Sequence, residues 1–216
     1  MIKSATLYTN NLKALRRFYG NVLELDVMES TVEQFTVRIG ESHLTFKQSE
    51  QPAFYHFAIN IPGNQFSMMK YWMLDRVTLN REEGRDEVYF PSFDADAMYF
   101  EDPVGNIVEL IGRRKRDLFG DLTKESFLNI SEIGITTPHV VEVGDELQDL
   151  GIPLRNGTEV EPDELNFLGR GDNYIVLVPP GRRWYFSKKV SEAYPLELTW
   201  NEAHIKVDGE GKLSFE

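Results

Sequence analysis

The sequence contains no cysteine, which excludes disulfide frameworks, thiolate metal sites and cysteine nucleophiles. It has no GxGxxG and no GxxxxGK[ST] run, the glycine-rich turns whose backbone amides cradle pyrophosphate, so no nucleotide cofactor is expected. No apolar run is long enough to span a bilayer, and the amino-terminal residues do not read as a signal peptide. The expectation is a cytoplasmic protein with no membrane partner. Positive charge is short as well: 23 Lys and Arg stand against 35 Asp and Glu, a formal net charge of −12. Nucleic-acid binding draws on clustered cations that displace phosphate counterions. The one basic cluster, Arg113-Arg114-Lys115-Arg116, reads as a solvated linker, so no nucleic-acid partner is expected. No serine stands in a nucleophile-elbow context, and hydrolase chemistry has no support.

What is present is a repeat. In "IKSATLYTNNLKALRRFYGNVLEL", Ala5 and Leu7 alternate with Ser4, Thr6 and Tyr8, and the period then lengthens through Leu12, Leu15, Phe18, Tyr19 and Val22. That is a strand, an Asn10 or Asn11 cap, and a helix. Strand-like runs near 26–30, 34–39 and 43–48 complete a βαβββ unit. The pattern returns in "FYHFAINIPGNQFSMMKYWML". Phe57, Ile59 and Ile61 alternate with His56, Ala58 and Asn60; Phe66, Met69 and Met73 form a helical stripe; runs near 87–90, 97–100 and 107–111 follow. Two such units joined edge to edge into a cupped mixed sheet, with the helices outside, bury both apolar faces. The reading is an α+β chain with βαβββ modules at 1–50 and 53–113 and a linker at 114–128. Residues 129–216 form a degenerate third module with a C-terminal hairpin about Gly209-Glu210-Gly211. Helices are expected to begin near Leu12, Gln65 and Val140.

One stretch, "YFEDPVGNIVELI", joins a polar turn to an apolar strand interrupted by Glu109. Asp102-Pro103-Val104-Gly105-Asn106 has turn chemistry throughout. A carboxylate flanked by Val108 and Leu110 is costly to bury alone, so Glu109 is expected to face water or to have a proton, a cation or a metal as partner.

With "NLKALRRFYGNVLEL" in the first unit and "EDPVGNIVEL" closing the second, the chain resembles the vicinal oxygen chelate superfamily, which includes glyoxalase I, extradiol ring-cleavage dioxygenases and bleomycin and fosfomycin resistance proteins. The resemblance covers residues 1–112. It implies that ligands come from the opening and closing strands of the two modules and converge in the cup. Carried across, those positions are Ser4, Thr45, His56 and Glu109, of which only His56 and Glu109 are good ligands. The implied site is therefore incomplete: a divalent Fe, Mn, Zn or Ni held by His56 and Glu109, with uptake falling as His56 titrates and Glu109 open to a role as base. Ser4, Thr45 and, by strand parity, Tyr8 are expected to line the substrate pocket. A third ligand from His43, His139 or His204 is disfavoured.

Two functions stay open. One is a metal-assisted lyase, isomerase or extradiol-type dioxygenase acting on a small molecule with vicinal oxygens. The other is a non-catalytic, bleomycin-resistance-like protein whose acidic charge favours a cationic guest. A homodimer is left open.

Overall fold

Strand alternation at the two ends of the chain, and its loss in the middle, decide how the sheets are covered. The structure is a computed structural model and describes residues 1–157 and 159–215. In β1 (Ile2–Thr9), Ala5 and Leu7 are buried while Ser4, Thr6 and Tyr8 are half-exposed. Asn11 caps α1 (Leu12–Arg17) by accepting from the Ala14 amide at 3.2 Å. A π-helical turn over Phe18–Val22 follows, and β2 (Val27–Ser30), β3 (Gln34–Ile39) and β4 (Ser42–Gln48) complete the first unit. The second unit is β5 (His56–Pro62), α2 (Phe66–Leu74), β6 (Val88–Phe90), β7 (Ala95–Glu101) and β8 (Ile107–Arg113). A third runs through β9 (Asn129–Thr136), α3 (Val140–Asp149), β10 (Asn166–Arg170) and β11 (Asn173–Val178). The chain then crosses residues 179–195 and ends in β12 (Leu196–Trp200), β13 (Ala203–Val207) and β14 (Leu213–Phe215). Helices α1 and α3 begin at the expected Leu12 and Val140, and a turn at Gly63–Gln65 leads into α2.

The strands form two seven-stranded mixed sheets, ordered β14-β13-β12-β1-β4-β3-β2 and β10-β11-β9-β5-β8-β7-β6. The architecture is α+β with paired βαβββ-like modules and outer helices, but the pairing differs from the expected one. Sequence pattern joins the first two modules to each other; the structure joins each of them to part of the C-terminal third. The opening strands β1 and β5 pair in parallel with β4 and β8 of their own units. Each leaves one edge that needs a partner. The antiparallel strand β12 takes the edge of β1, and β9 takes the edge of β5.

Burial separates the two sheets. All residues of β5, β8, β9 and β11 are buried, so the second sheet is covered on both faces. Strands β3 and β12 alternate buried and half-buried, so the first sheet keeps one polar face toward solvent. Leu7, Phe46, Ile59, Leu110, Ile135 and Leu147 belong to the main core, which the helices seal. A smaller cluster, with Tyr99, Ile111, Val176, Trp184 and Phe186, fills the other face of the second sheet. The two sheets meet closely at Gly40, where φ is +52° and a Cβ would lie 2.0 Å from the Leu128 carbonyl oxygen. Among the described residues, no helix is long and apolar enough to cross a membrane.

Candidate metal centre

The polar turn before β8 is a buried clamp. The Asp102 carboxylate accepts from the amides of Val104 (3.1 Å) and Asn106 (3.0 Å), from Asn106 Nδ2 (2.8 Å) and from the Tyr19 hydroxyl (2.8 Å). Gly105, at φ +86°, supplies the backbone conformation that lets the turn close. Asn106 Oδ1 accepts from the Tyr55 amide at 2.8 Å, and the Ile107 amide donates to the Tyr55 carbonyl at 2.8 Å. The start of β5 is thereby locked to the start of β8. His56 follows immediately, with Nδ1 3.2 Å from the Ile107 carbonyl oxygen. A carbonyl can only accept, so the proton sits on Nδ1 and the Nε2 lone pair is left free.

That lone pair meets two acids. Glu109 on β8 and Glu132 on β9 both pair in register with Ala58 on the central strand β5. His56 Nε2 lies 3.7 Å from Glu109 Oε2 and 4.0 Å from Glu132 Oε2. One ligand atom from each of the three residues falls within 4.8 Å of the others. All three side chains are buried, at 4–7% exposure. Burial pushes His56 down to about 4, against the smaller opposing effect of the Ile107 carbonyl, so the imidazole is neutral at pH 7. Burial raises Glu109 well above the usual carboxylate range, and the neighbouring Glu132 adds to this, while Tyr99 and Arg113 oppose it. Burial raises Glu132 to about 7, against Arg113 and Arg155.

Without a cation the two buried carboxylates hold protons more tightly than exposed ones do. A divalent ion would supply a compensating charge, and the donor types suit one. The carboxylate oxygens stand 3.7 and 4.0 Å from His56 Nε2, and the three ligand atoms lie within 4.8 Å of one another, wider than the ~3 Å between neighbouring ligands around bonds of ~2.1 Å, so the carboxylates would swing inward to close on an ion. One nitrogen and carboxylate oxygens suit Mn²⁺ or Fe²⁺ better than softer ions.

The centre lies in the wall of a cavity of about 460 Å³. Phe93, Tyr99, Phe167, Trp184 and Tyr185 give it aromatic walls. The strap of residues 179–195 roofs this space. Trp184 sits with its ring centroid 4.8 Å from that of His56, and Phe186 stacks on Tyr99 at 4.8 Å. Arg183 forks onto Glu82 at 2.7 and 3.0 Å, tying the strap to the loop before β6. Gly134 makes room for the roof: a Cβ there would lie 3.0 Å from the Trp184 ring and 3.1 Å from the His56 carbonyl oxygen.

The structure brings His56 and Glu109 together. It does not bring Ser4, Tyr8 and Thr45 to this cavity, because β1 and β4 belong to the other sheet. There Ser4 Oγ donates to Thr199 Oγ1 at 2.9 Å, the Tyr8 hydroxyl donates to Glu197 at 2.7 Å, and Thr45 bonds Thr36 at 2.8 Å. Ser4 borders a separate cleft of about 240 Å³. His43 and His204 lie on that sheet too, and His139 precedes α3. The third ligand-capable group is Glu132, absent from the sequence-based candidates. Its signal was the one that marked Glu109, an acid inside an apolar strand, here "NISEIGIT".

A family model described as toxoflavin-degrading enzyme matches residues 130–182, roughly a quarter of the chain, from β9 into the strap. No curated protein matches the sequence. Among solved structures, a candidate dioxygenase from Bacillus subtilis subsp. subtilis str. 168 superposes with a TM-score of 0.61 at 15% identity, covering 82% of this chain and 63% of its own. The present chain thus spans less than two thirds of that protein. A lactoylglutathione lyase from Agrobacterium tumefaciens gives a TM-score of 0.45 at 17% identity, over 53% of this chain and 95% of its own. A glyoxalase/bleomycin resistance protein/dioxygenase from Nocardioides gives 0.43 at 16%, over 57% and 89%. The chain shares its fold with the Bacillus subtilis protein.

Proposed function

We propose that this protein is a metal-dependent enzyme of small-molecule breakdown or rearrangement, with a divalent ion held by His56, Glu109 and Glu132. The observation that carries the reading is the convergence of these three buried groups within 4.8 Å in the wall of an open cavity. Buried acids beside a neutral imidazole are expensive to maintain unless a cation joins them. The bound ion would supply Lewis acidity toward two neighbouring substrate oxygens. The chain's own residues do the rest. His56 offers Nε2 because the Ile107 carbonyl fixes its tautomer. Tyr99, paired in register with Glu109, opposes the rise in its titration, and the aromatic walls exclude water from a flat, partly apolar substrate. Where Glu109 does not serve as a ligand, it would be the group placed to take a proton from carbon beside a carbonyl.

Similarity of residues 130–182 to a family described as toxoflavin-degrading supports degradative chemistry, and makes toxoflavin the first compound to assay. The alternative is sequestration without reaction, which the same acidic cup would favour for a cationic guest. Elemental analysis of protein purified without an affinity tag separates the two. About one equivalent of Mn or Fe, lost in His56→Ala and Glu109→Gln, supports the enzyme. Absence of metal after reconstitution with Mn²⁺, Fe²⁺ and Zn²⁺ removes that reading and leaves the binding protein.

A further inference from the structure

Arg113 ends β8 as a buried cation whose bonds are conspicuously one-sided. Its Nη1 donates to Asn60 Oδ1 and to Ser131 Oγ, the latter at 3.0 Å. Its Nε faces Asp172 Oδ1 at 3.5 Å. Those anchors are themselves cross-linked. Asn60 Nδ2 donates to Asn129 Oδ1 (2.7 Å) and to the Asp172 carbonyl (2.9 Å), and Ser131 Oγ donates to the same carbonyl (3.1 Å). The remaining nitrogen, Nη2, is buried and has no hydrogen-bond partner. It points at Glu132 Oε1, 3.9 Å away. The other oxygen of that carboxylate, Oε2, is the one that faces His56.

A guanidinium has five donors in a rigid fork, and a buried donor left unmet carries an uncompensated desolvation cost. The network fixes three sides of the fork and leaves the fourth for Glu132. We propose that Arg113 is the positioning residue of the metal centre, holding Glu132 so that one carboxylate oxygen faces the ion and the other faces Nη2. This rests on the metal reading above. It explains why the unmet donor and the open ligand cluster occur side by side: a small shift of one carboxylate satisfies both. Arg113 does not border the cavity, so it acts through Glu132 and not on substrate.

The sign of the effect makes the test decisive. Coulomb repulsion alone predicts that removing a cation beside the site tightens Mn²⁺ binding; positioning predicts that it weakens. The full-length protein, stripped of metal, is titrated with Mn²⁺ by calorimetry and with Co²⁺ by visible absorption. Arg113→Met is expected to lose about 10–100-fold in Mn²⁺ affinity and to alter the Co²⁺ ligand-field bands. Arg113→Lys keeps the charge but lacks the fork, and is expected to recover only a small part of the loss. Should Arg113→Met fail to fold, Ser131→Ala removes one anchor of the fork and is expected to weaken Mn²⁺ several-fold with the same spectral change. Wild-type affinity in folded Arg113→Met, tighter binding there, or full recovery in Arg113→Lys would each overturn the positioning role while leaving the metal site intact. A wild type that takes up neither ion overturns both.

Discussion

Replacing Glu132 with Gln should stabilise the metal-free protein at alkaline pH while abolishing metal uptake. A carboxylate whose titration is raised on folding holds its proton more tightly in the folded state. Its contribution to stability is therefore present below the unfolded value and lost as pH rises to the folded one. For Glu132 that window runs from the ordinary glutamate value of 4.5 to about 7. Integrated across it, at ~1.4 kcal/mol per unit, the loss is about 3 kcal/mol at pH 8 and under about 1 kcal/mol at pH 5. Glutamine keeps the volume, keeps an oxygen toward Arg113 and carries no charge. The depressed titration of His56 acts in the opposite direction over pH 4–6.5, but it is common to both proteins and cancels in the comparison. Urea unfolding in chelator at the two pH values gives the difference directly. Glu132→Gln should gain up to about 3 kcal/mol on wild type at pH 8, and most of that gain should vanish at pH 5. With saturating Mn²⁺ the order should reverse, because only wild type is stabilised by binding. A substitution effect that does not change between pH 5 and pH 8 would refute the claim that burial of an ionisable Glu132 governs the site.

Other outcomes follow from the same geometry. Mn²⁺ affinity should rise with pH through 7 and above, by about one log unit per pH unit for each proton displaced. The protons come from Glu132 and Glu109, since His56, at about 4, is already neutral; a midpoint below pH 5 in calorimetric titrations would contradict this. Gly134→Ala forces a methyl against Trp184 and should cost about 1–3 kcal/mol and shift tryptophan emission. Trp184→Ala in the same chain should remove most of that penalty, and strict additivity in the double-mutant cycle would show that the two do not touch. Asp102→Ala strands the Asn106 amide and the Tyr19 hydroxyl, both buried, and should cost about 3 kcal/mol or more in urea unfolding; a loss under about 1 kcal/mol would mean that the turn is not the clamp described.

Local pattern carried the elements because each unit repeats one alternation and one helical stripe. Leu12 and Val140 could be placed as helix starts from spacing alone. Edge pairing could not, since β1 and β5 offer similar apolar faces and nothing local says which later strand will reach them. That gap displaces Ser4, Tyr8 and Thr45: their parity sets them away from the helix, but on a face that belongs to the other sheet. His56 and Glu109 were legible because they sit in one parallel pair, β5 with β8, within a single unit. The third group required the long-range pair of β5 with β9. The pH at which uptake is lost is hidden from the sequence for a related reason. Spacing does not report burial, and burial moves the titration from the imidazole to the carboxylates.

The two sheets also show why, among the described residues, only one of them holds a candidate metal site. In the second, Glu109 and Glu132 flank Ala58 on either side, and His56 stands two residues earlier on the same strand face. In the first, Thr45 and Glu197 flank Thr6, with Ser4 two residues earlier. Ser4, Thr45 and Glu197 thus hold the register positions of His56, Glu109 and Glu132, and the acid on the partner strand is common to both. Its surroundings are not. Glu197 is 32% exposed, receives the Tyr8 hydroxyl at 2.7 Å and has the Lys47 ammonium at 3.0 Å, so a tethered cation and water answer its charge. Glu132 is 6% exposed, and its closest cation, Arg113, stops 3.9 Å short. A short-range cation built into the chain makes an ion from solution unnecessary in the first cup. In the second, Asn60 and Ser131 take Nη1 of Arg113 while its Nη2 stops short of Glu132, so among the described residues no cation of the chain meets the buried carboxylates at contact distance.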